Sequence, residues 1–361
     1  MKKNAKAANP FAGRLAAFCA AMEKKNLDAA VVCDRSNIRG LTGIDCDSAA
    51  LVVRGGKPVV HTDFRYVPEI ERTAPWIAIG DIKRLDGTKP FPAGGRPLRK
   101  VGCEFSVPHS RFLKFRKAFP GAEFEDVGAD ARALRAVKTP SELEALRKAA
   151  LLNDEIWAEA SAAFKPGMTE IEMARAIKIL MIERGEGEAF ETIVCIGPNA
   201  AECHHTPDGT KWNGRDPILV DMGVRLGGYC SDMTRNIVPA KPSPLYRKAY
   251  SLVLEANRRA AAALKPGMTG RQLDAVARRF LAANGFKKEF GHSLGHGVGI
   301  EIHEKPAAGS KSADVLKPGM TVTIEPGVYI PGKLGVRIED LALVTEDGCE
   351  ILTTSPKALL Q

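Results

Sequence analysis

The chain has eight cysteines, Cys19, Cys33, Cys46, Cys103, Cys195, Cys203, Cys230 and Cys349, but no C-x-x-C pair. That absence excludes a zinc knuckle and a dithiol redox motif. Scattered thiols in a long chain fit a reducing cytoplasm, where they pack as small hydrophobes. No apolar run approaches the ~18 residues of a membrane span, so no membrane segment is expected. Aromatics make up 6% of the residues and nowhere interleave with a basic cluster. The net charge of +9, from 52 basic and 43 acidic residues, is therefore read as a solvated surface, and no nucleic-acid partner is expected. Lysines precede the apolar stretch Leu15 to Met22, as in a secretory leader. Arg14 interrupts it, however, and no A-x-A site follows. Leu15, Phe18 and Met22 recur at helical spacing, which predicts an amphipathic first helix over about 11–25.

What is present argues for two domains. Apolar strands at Ala29–Cys33, Ala49–Val53 and Pro58–His61, with a Gly55-Gly56 turn, are the signals of an α/β domain. Pro90–Pro97 reads as a loop. Beyond about residue 130 long helices begin, so the expected division is 1–130 and 131–361. Thr139-Pro140-Ser141-Glu142 is a capping box with proline at the first helical position, followed by Leu143, Leu146 and Ala150 on one face. An internal repeat comes next. Lys165-Pro166-Gly167-Met168-Thr169 recurs as Lys265-Pro266-Gly267-Met268-Thr269, 100 residues later. Each threonine can cap a helix, with Glu172 or Gln272 completing the box and Met173 or Leu273 the hydrophobic staple. A third copy, from Lys317, runs into Val322-Thr323-Ile324 and predicts a strand. The expected second domain is a duplicated α+β unit.

Carboxylates sit inside its strands. Asp221 ends the apolar run Ile218–Val220, and the chain returns past Gly227-Gly228 to Asp232. A hairpin centred between Leu226 and Gly227 puts Asp221 directly opposite Asp232, with Cβ atoms about 4.5–5.5 Å apart. Centring the second hairpin on Gly332 sets Glu325 opposite Glu339. Four converging carboxylates carry about −4, which two divalent cations would balance. Between the hairpins lies Gly291-His292-Ser293-Leu294-Gly295-His296-Gly297-Val298-Gly299, followed by His303. Four glycines argue against a helix there and for a backbone that closely approaches a neighbour.

Asp221 to Arg235 (GYxSDxTR-like), Gly291 to Glu304 (GHxxGHGxGxxxHE), Thr323 to Ile330 (TxEPGxY) and Gly335 to Glu339 (GxRxE) resemble the pita-bread-fold metallopeptidases, specifically aminopeptidase P and prolidase, the Xaa-Pro peptidases. Arg35 to Gly43 (NxxxLTG-like) and His61-Thr62-Asp63-Phe64-Arg65-Tyr66 resemble that family's creatinase-like N-terminal domain. The resemblance implies an α/β N-terminal domain and a pita-bread catalytic domain with an internal pseudo-twofold duplication. It implies two divalent metal ions, with manganese favoured and cobalt or zinc as alternatives. Asp232 and Glu339 would bridge both, Asp221 would complete one, and His296 and Glu325 the other. His204 would be a catalytic histidine, although Cys203 stands where many relatives have proline. His303 would contact the substrate carbonyl and His292 would line the pocket. Arg337 would hold a ligand carboxylate. Thr234, two residues beyond Asp232 on the same strand face, could hydrogen-bond a ligand.

Paired cations about 3.5–4 Å apart generate a bridging hydroxide nucleophile at neutral pH and polarise a carbonyl. Glu325 would carry its proton to the leaving nitrogen. The implied activity is Xaa-Pro aminopeptidase, on proline-containing peptides, in a cytoplasmic homodimer. The alternatives are an Xaa-Pro dipeptidase and a non-catalytic binding module of the same fold. Creatinase shares the fold without the ligands. All five ligand positions are filled here, which argues against a creatinase-like activity.

Overall fold

The structure, a computed structural model, describes residues 11–88 and 98–357. The segment Pro90–Pro97, expected to be a loop, lies outside the described residues. The chain divides into two compact units, Met1–Arg135 and Ala136–Gln361. Among the described residues no helix is long and apolar enough to cross a membrane.

In the first unit, helix α1 (Ala12–Lys24) is followed by β1 (Ala29–Val32), α2 (Arg35–Thr42), β2 (Ala49–Arg54), β3 (Lys57–Thr62), α3 (Val67–Thr73), β4 (Ala78–Asp81), β5 (Lys100–Cys103), α4 (His109–Ala118), β6 (Glu123–Asp126) and α5 (Gly128–Ala136). The strands form one mixed sheet in the order β4-β3-β2-β1-β5-β6. Side chains alternate between its faces, as the two-residue period of a strand requires. Ala30, Val32, Leu51 and Val53 pack with Leu15, Phe18 and Met22 of α1, all buried. Val31, Ala50 and Val52 pack with Phe115 of α4 on the opposite face.

The second unit runs α6 (Pro140–Ala163), α7 (Glu170–Arg184), β7 (Ile193–Ile196), β8 (Ile218–Met222), β9 (Arg225–Leu226), β10 (Tyr229–Cys230), β11 (Met233–Ile237), then α8 (Pro244–Ala263), α9 (Gly270–Ala283), β12 (Gly295–Gly297), β13 (Glu304–Ala308), β14 (Thr321–Ile324), β15 (Gly327–Ile330), β16 (Leu334–Arg337), β17 (Asp340–Val344) and β18 (Cys349–Ile351). All three capping boxes form, at Thr139, Thr169 and Thr269. Each of the first two repeat copies separates two helices, and the third leads into β14.

The duplication repeats bond for bond. Gly167 N donates to Trp212 O, and Gly267 N to Leu316 O. Trp212 N donates to Met168 O, and Leu316 N to Met268 O. Glu170 N donates to Thr210 O, and Gly270 N to Asp314 O. Ile171 N donates to Asp208 O, and Arg271 N to Ser312 O. In each half a loop strand lies against a helix N-terminus and its carbonyls take up amides that the helix leaves unpaired. Each half has its own core, one under α6 and α7, the other under α8 and α9.

The first hairpin departs from its expected register. Thr234, not Asp232, faces Asp221 across β8 and β11. The pairs Tyr229–Leu226 and Cys230–Arg225 place the turn at Gly227-Gly228, whose φ values are +59° and +70°. A two-residue turn with both central residues in the left-handed region matches strand twist, so the hairpin is centred one residue further on than expected and each cross-strand partner shifts by two. Asp232 is thus the diagonal neighbour of Asp221 on the same face. The second hairpin has the expected register: Ile324 faces Asp340 and Gly327 faces Arg337. Glu325 and Glu339 lie at matching positions in the break between those two ladders.

Candidate active site

A cavity of about 690 Å³ in the second unit is lined by all the candidate residues except Thr234. Ligand atoms of Asp232, His296 and Glu339 all lie within 4.8 Å of one another. His296 Nε2 is 3.6 Å from Asp232 Oδ2 and 3.5 Å from Glu325 Oε1. His296 Nδ1 lies 3.1 Å from Gly297 O and so carries the hydrogen, which leaves the Nε2 lone pair facing the carboxylates. The glycines around it are required by close approach. A Cβ at Gly295 would sit 1.9 Å from Thr323 O, and one at Gly297 2.2 Å from Lys305 O.

Asp221 is held from behind. Arg337 Nη2 donates to Asp221 Oδ2 at 2.6 Å, while the other oxygen, Oδ1, is buried without a hydrogen-bond partner. Arg337 Nε donates to Thr234 Oγ1 at 3.0 Å, and that hydroxyl donates to Glu339 Oε2 at 2.7 Å. One guanidinium therefore braces two carboxylates, Asp221 directly and Glu339 through Thr234. Thr234 reaches this position because it is the cross-strand partner of Asp221.

The carboxylates perturb one another. Burial, reinforced by Glu339, Asp221 and Glu325, holds the Asp232 carboxyl well above its usual range. Burial likewise raises Glu339, with Glu325 and Asp221 adding to it. Glu325 is pushed up to about 8 by burial and Asp221, against the opposing pull of Arg337. Such a set is stable as anions only when a cation is bound. Oxygen-rich donors, one imidazole nitrogen with a free lone pair and a partnerless Asp221 oxygen together fit divalent metal ions.

His303 packs edge-on against His296, with ring centroids 4.3 Å apart. His292 is otherwise engaged. Its Nδ1 donates to Ser293 O at 2.7 Å and its Nε2 accepts from Tyr329 Oη at 2.9 Å. Burial, aided by Arg337, lowers its pKa to about 4 and keeps the ring neutral. Arg337 Nη1 donates in turn to Tyr329 Oη at 2.9 Å. Sequence reasoning passed over Tyr329 as a participant, although it closes the TxEPGxY motif. His204 is exposed to the cavity. His205 turns toward α7 and bonds Glu170, which the sequence reading did not single out.

Residues 144–346 match the model for metallopeptidase family M24 and residues 14–137 that for the creatinase/prolidase N-terminal domain. The Xaa-Pro dipeptidase of Pyrococcus horikoshii is 32% identical over 344 residues, 94% of this chain and 96% of that protein. The structure of an Xaa-Pro dipeptidase from Bacillus anthracis superimposes with a TM-score of 0.92 at 32% identity, covering 97% of this chain and 99% of the other. An X-Pro aminopeptidase from Thermotoga maritima gives 0.85 at 30% identity, covering 94% and 99%. The chain belongs to metallopeptidase family M24, as a pita-bread-fold peptidase with a creatinase/prolidase-type N-terminal domain.

Proposed function

We propose that this metallopeptidase removes the N-terminal residue from peptides with proline in second place, and that catalysis resides in the second unit, where every candidate residue lies. The observation that carries the aminopeptidase reading is the charge of the cavity. Among the described residues that line it, Arg337 is the one lysine or arginine, and its donors are committed to Asp221, Thr234 and Tyr329. With the metals balanced by their own carboxylates, a dipeptide would bring its C-terminal carboxylate, one residue from the scissile bond, into a cavity whose described lining offers no further guanidinium or ammonium group to pair with it. A longer peptide puts a neutral amide there. The free amino terminus, in contrast, suits acidic surroundings.

Asp221, Asp232, His296, Glu325 and Glu339 would hold two divalent ions, with Asp232 and Glu339 shared. When bound, these ions acidify a water and polarise the scissile carbonyl. Manganese suits so oxygen-rich a donor set. Glu325 accepts the proton of the attacking water and delivers it to the proline nitrogen as the bond breaks. His204 and His303 donate to the carbonyl oxygen as charge develops on it. His292, with both ring nitrogens engaged, forms a wall of the pocket. Arg337 and Thr234 keep the carboxylates aligned. A cytoplasmic homodimer belongs to the same reading; the eight free thiols support the reducing compartment.

The names of relatives such as the Pyrococcus enzyme favour a second reading, strict Xaa-Pro dipeptidase. Initial rates on Xaa-Pro-Yaa tripeptides and Xaa-Pro dipeptides, with manganese added, separate the two. We expect kcat/KM for the tripeptide to be greater by about tenfold or more, the ~1.4 kcal/mol of one unfavourable charge contact. The reverse order establishes the dipeptidase. No rate on either leaves a non-catalytic binding module.

A further inference from the structure

At the first helical position of α7 the repeat carries Glu170, whereas the same position of α9 is Gly270. The backbone docking around the two is the same, so the docking does not itself require a carboxylate. Glu170 is fully buried and is not one of the five carboxylate and imidazole ligands proposed above. Its Oε1 accepts from Ile196 N at 2.6 Å and Asn199 Nδ2 at 2.9 Å. Its Oε2 accepts from His205 Nε2 at 2.8 Å and Asp208 N at 3.0 Å. One side chain thus ties the end of β7, the turn after it and two points of the loop that follows. Asn199 also donates to Thr210 Oγ1 at 3.2 Å.

His205 directly follows His204 in that loop, so a fixed His205 ring fixes the backbone that presents His204 to the cavity. Burial disfavours the protonated imidazole, but Glu170, with Glu202 and Asp208, outweighs it, and the His205 pKa is raised. Asp208, Glu170 and His205 are close enough together to suggest a cation site. However, both Glu170 oxygens are already filled by protein donors, which leaves them no room to bind a metal.

We propose that Glu170 and His205 form a buried acid–imidazole pair that acts as a positioning device for His204, setting the loop from which that side chain reaches the scissile carbonyl. The proposal rests on the peptidase reading above. It gives His205, which does not itself reach the scissile carbonyl, a part in placing His204.

The test is a double-mutant cycle on a tripeptide substrate, with Glu170→Gln and His205→Gln each made in the native and His204→Ala backgrounds. In the native background each should lower kcat about tenfold, with KM within about twofold and bound metal unchanged. In the His204→Ala background each should cost less than about twofold more, because its effect runs through a ring already removed. Additive losses would reduce the pair to general scaffolding and overturn the proposal. Should Glu170→Gln not fold, His205→Gln carries the same cycle. Hydrogen exchange gives a readout independent of activity: both variants should speed exchange across 203–210 by about tenfold while β8 stays protected. Unchanged protection of that loop would also overturn the proposal. If the native protein cleaves no Xaa-Pro peptide, the peptidase reading fails, and exchange still decides whether the pair anchors the loop.

Discussion

The two halves of the catalytic unit share a scaffold and differ in how each delivers its carboxylates. In the first half β8 and β11 form an unbroken ladder from Ile218–Ile237 to Met222–Met233. Asp221 projects from within it, and Asp232 lies just before β11. In the second half the ladder breaks between Ile324–Asp340 and Gly327–Arg337, and both Glu325 and Glu339 occupy the break. The loop anchors differ too. The first half uses Glu170 at the helix start. The second uses Asp274, one turn further along α9, which accepts from Leu294 N at 3.1 Å and pairs with Arg278. Arg278 then donates to Phe290 O at 2.8 Å and His292 O at 2.7 Å. Duplication supplied the frame, and each half solved separately the problem of holding charged groups in a buried place.

The strongest test of this division is Asp232→Asn. If the first half supplies a carboxylate that both cations share, loss of its charge should remove paired metal binding and lower kcat by about 10³-fold or more. Elemental analysis alongside kinetics checks it; two bound metals and a near-native rate would dissolve the distinction between shared and single ligands.

Metal should also invert the site's pH dependence of stability. Without metal, the raised carboxyls bind more protons folded than unfolded. Their contribution is fully present below the unfolded value near 4.5 and is lost as pH rises toward about 8, the folded value for Glu325. Excess metal binds the ionised ligands of the fold and adds about 2.7 kcal/mol at a hundredfold over Kd. Melting curves with chelator and with manganese, from about pH 5.5 to 8, should therefore diverge as pH rises. Curves that converge would argue against a carboxylate-built centre spanning both halves.

Gly270→Ala sharpens the contrast at the helix starts. A Cβ there would meet Ala307 O at 1.9 Å and Ser312 Oγ at 2.9 Å. We expect a loss of about 2–3 kcal/mol in urea unfolding, since rigid backbone has to move. A neutral result would mean the second half could have accommodated a side chain at the position Glu170 fills in the first.

Tyr329→Phe should have the smallest effect. It removes one hydroxyl between Arg337 and His292, worth about 1 kcal/mol or roughly fivefold in kcat/KM. The lost partner frees His292 Nε2, so a changed acid limb in the pH–rate profile is the accompanying signature.

Much of this was legible in residue order. The capping boxes at Thr139, Thr169 and Thr269 are local interactions between residues three apart, and local chemistry is written in sequence. The glycines around His296 announced a close backbone approach, which Thr323 O and Lys305 O turn out to make. The register of the first hairpin was not legible, because Gly227-Gly228 permits more than one turn centre and the choice rests on strand twist. The brace from Arg337 through Thr234 to Glu339 was legible only in part. Arg337 could be expected to hold a carboxylate, but which one depends on the register that puts Thr234 opposite Asp221.

Sequence by itself determined the repeat and the capped helix starts and nominated the candidate donors, since each depends on residue type and short spacing. Tertiary structure alone decided that Asp221 faces Thr234, that Tyr329 neutralises His292 as a donor, and that Glu170 holds the His204 loop. The last two contacts join residues 37 and 35 positions apart, and the first depends on a strand register that residue order left open. Their geometry is set by strand register and by packing within each half, and no local pattern encodes it.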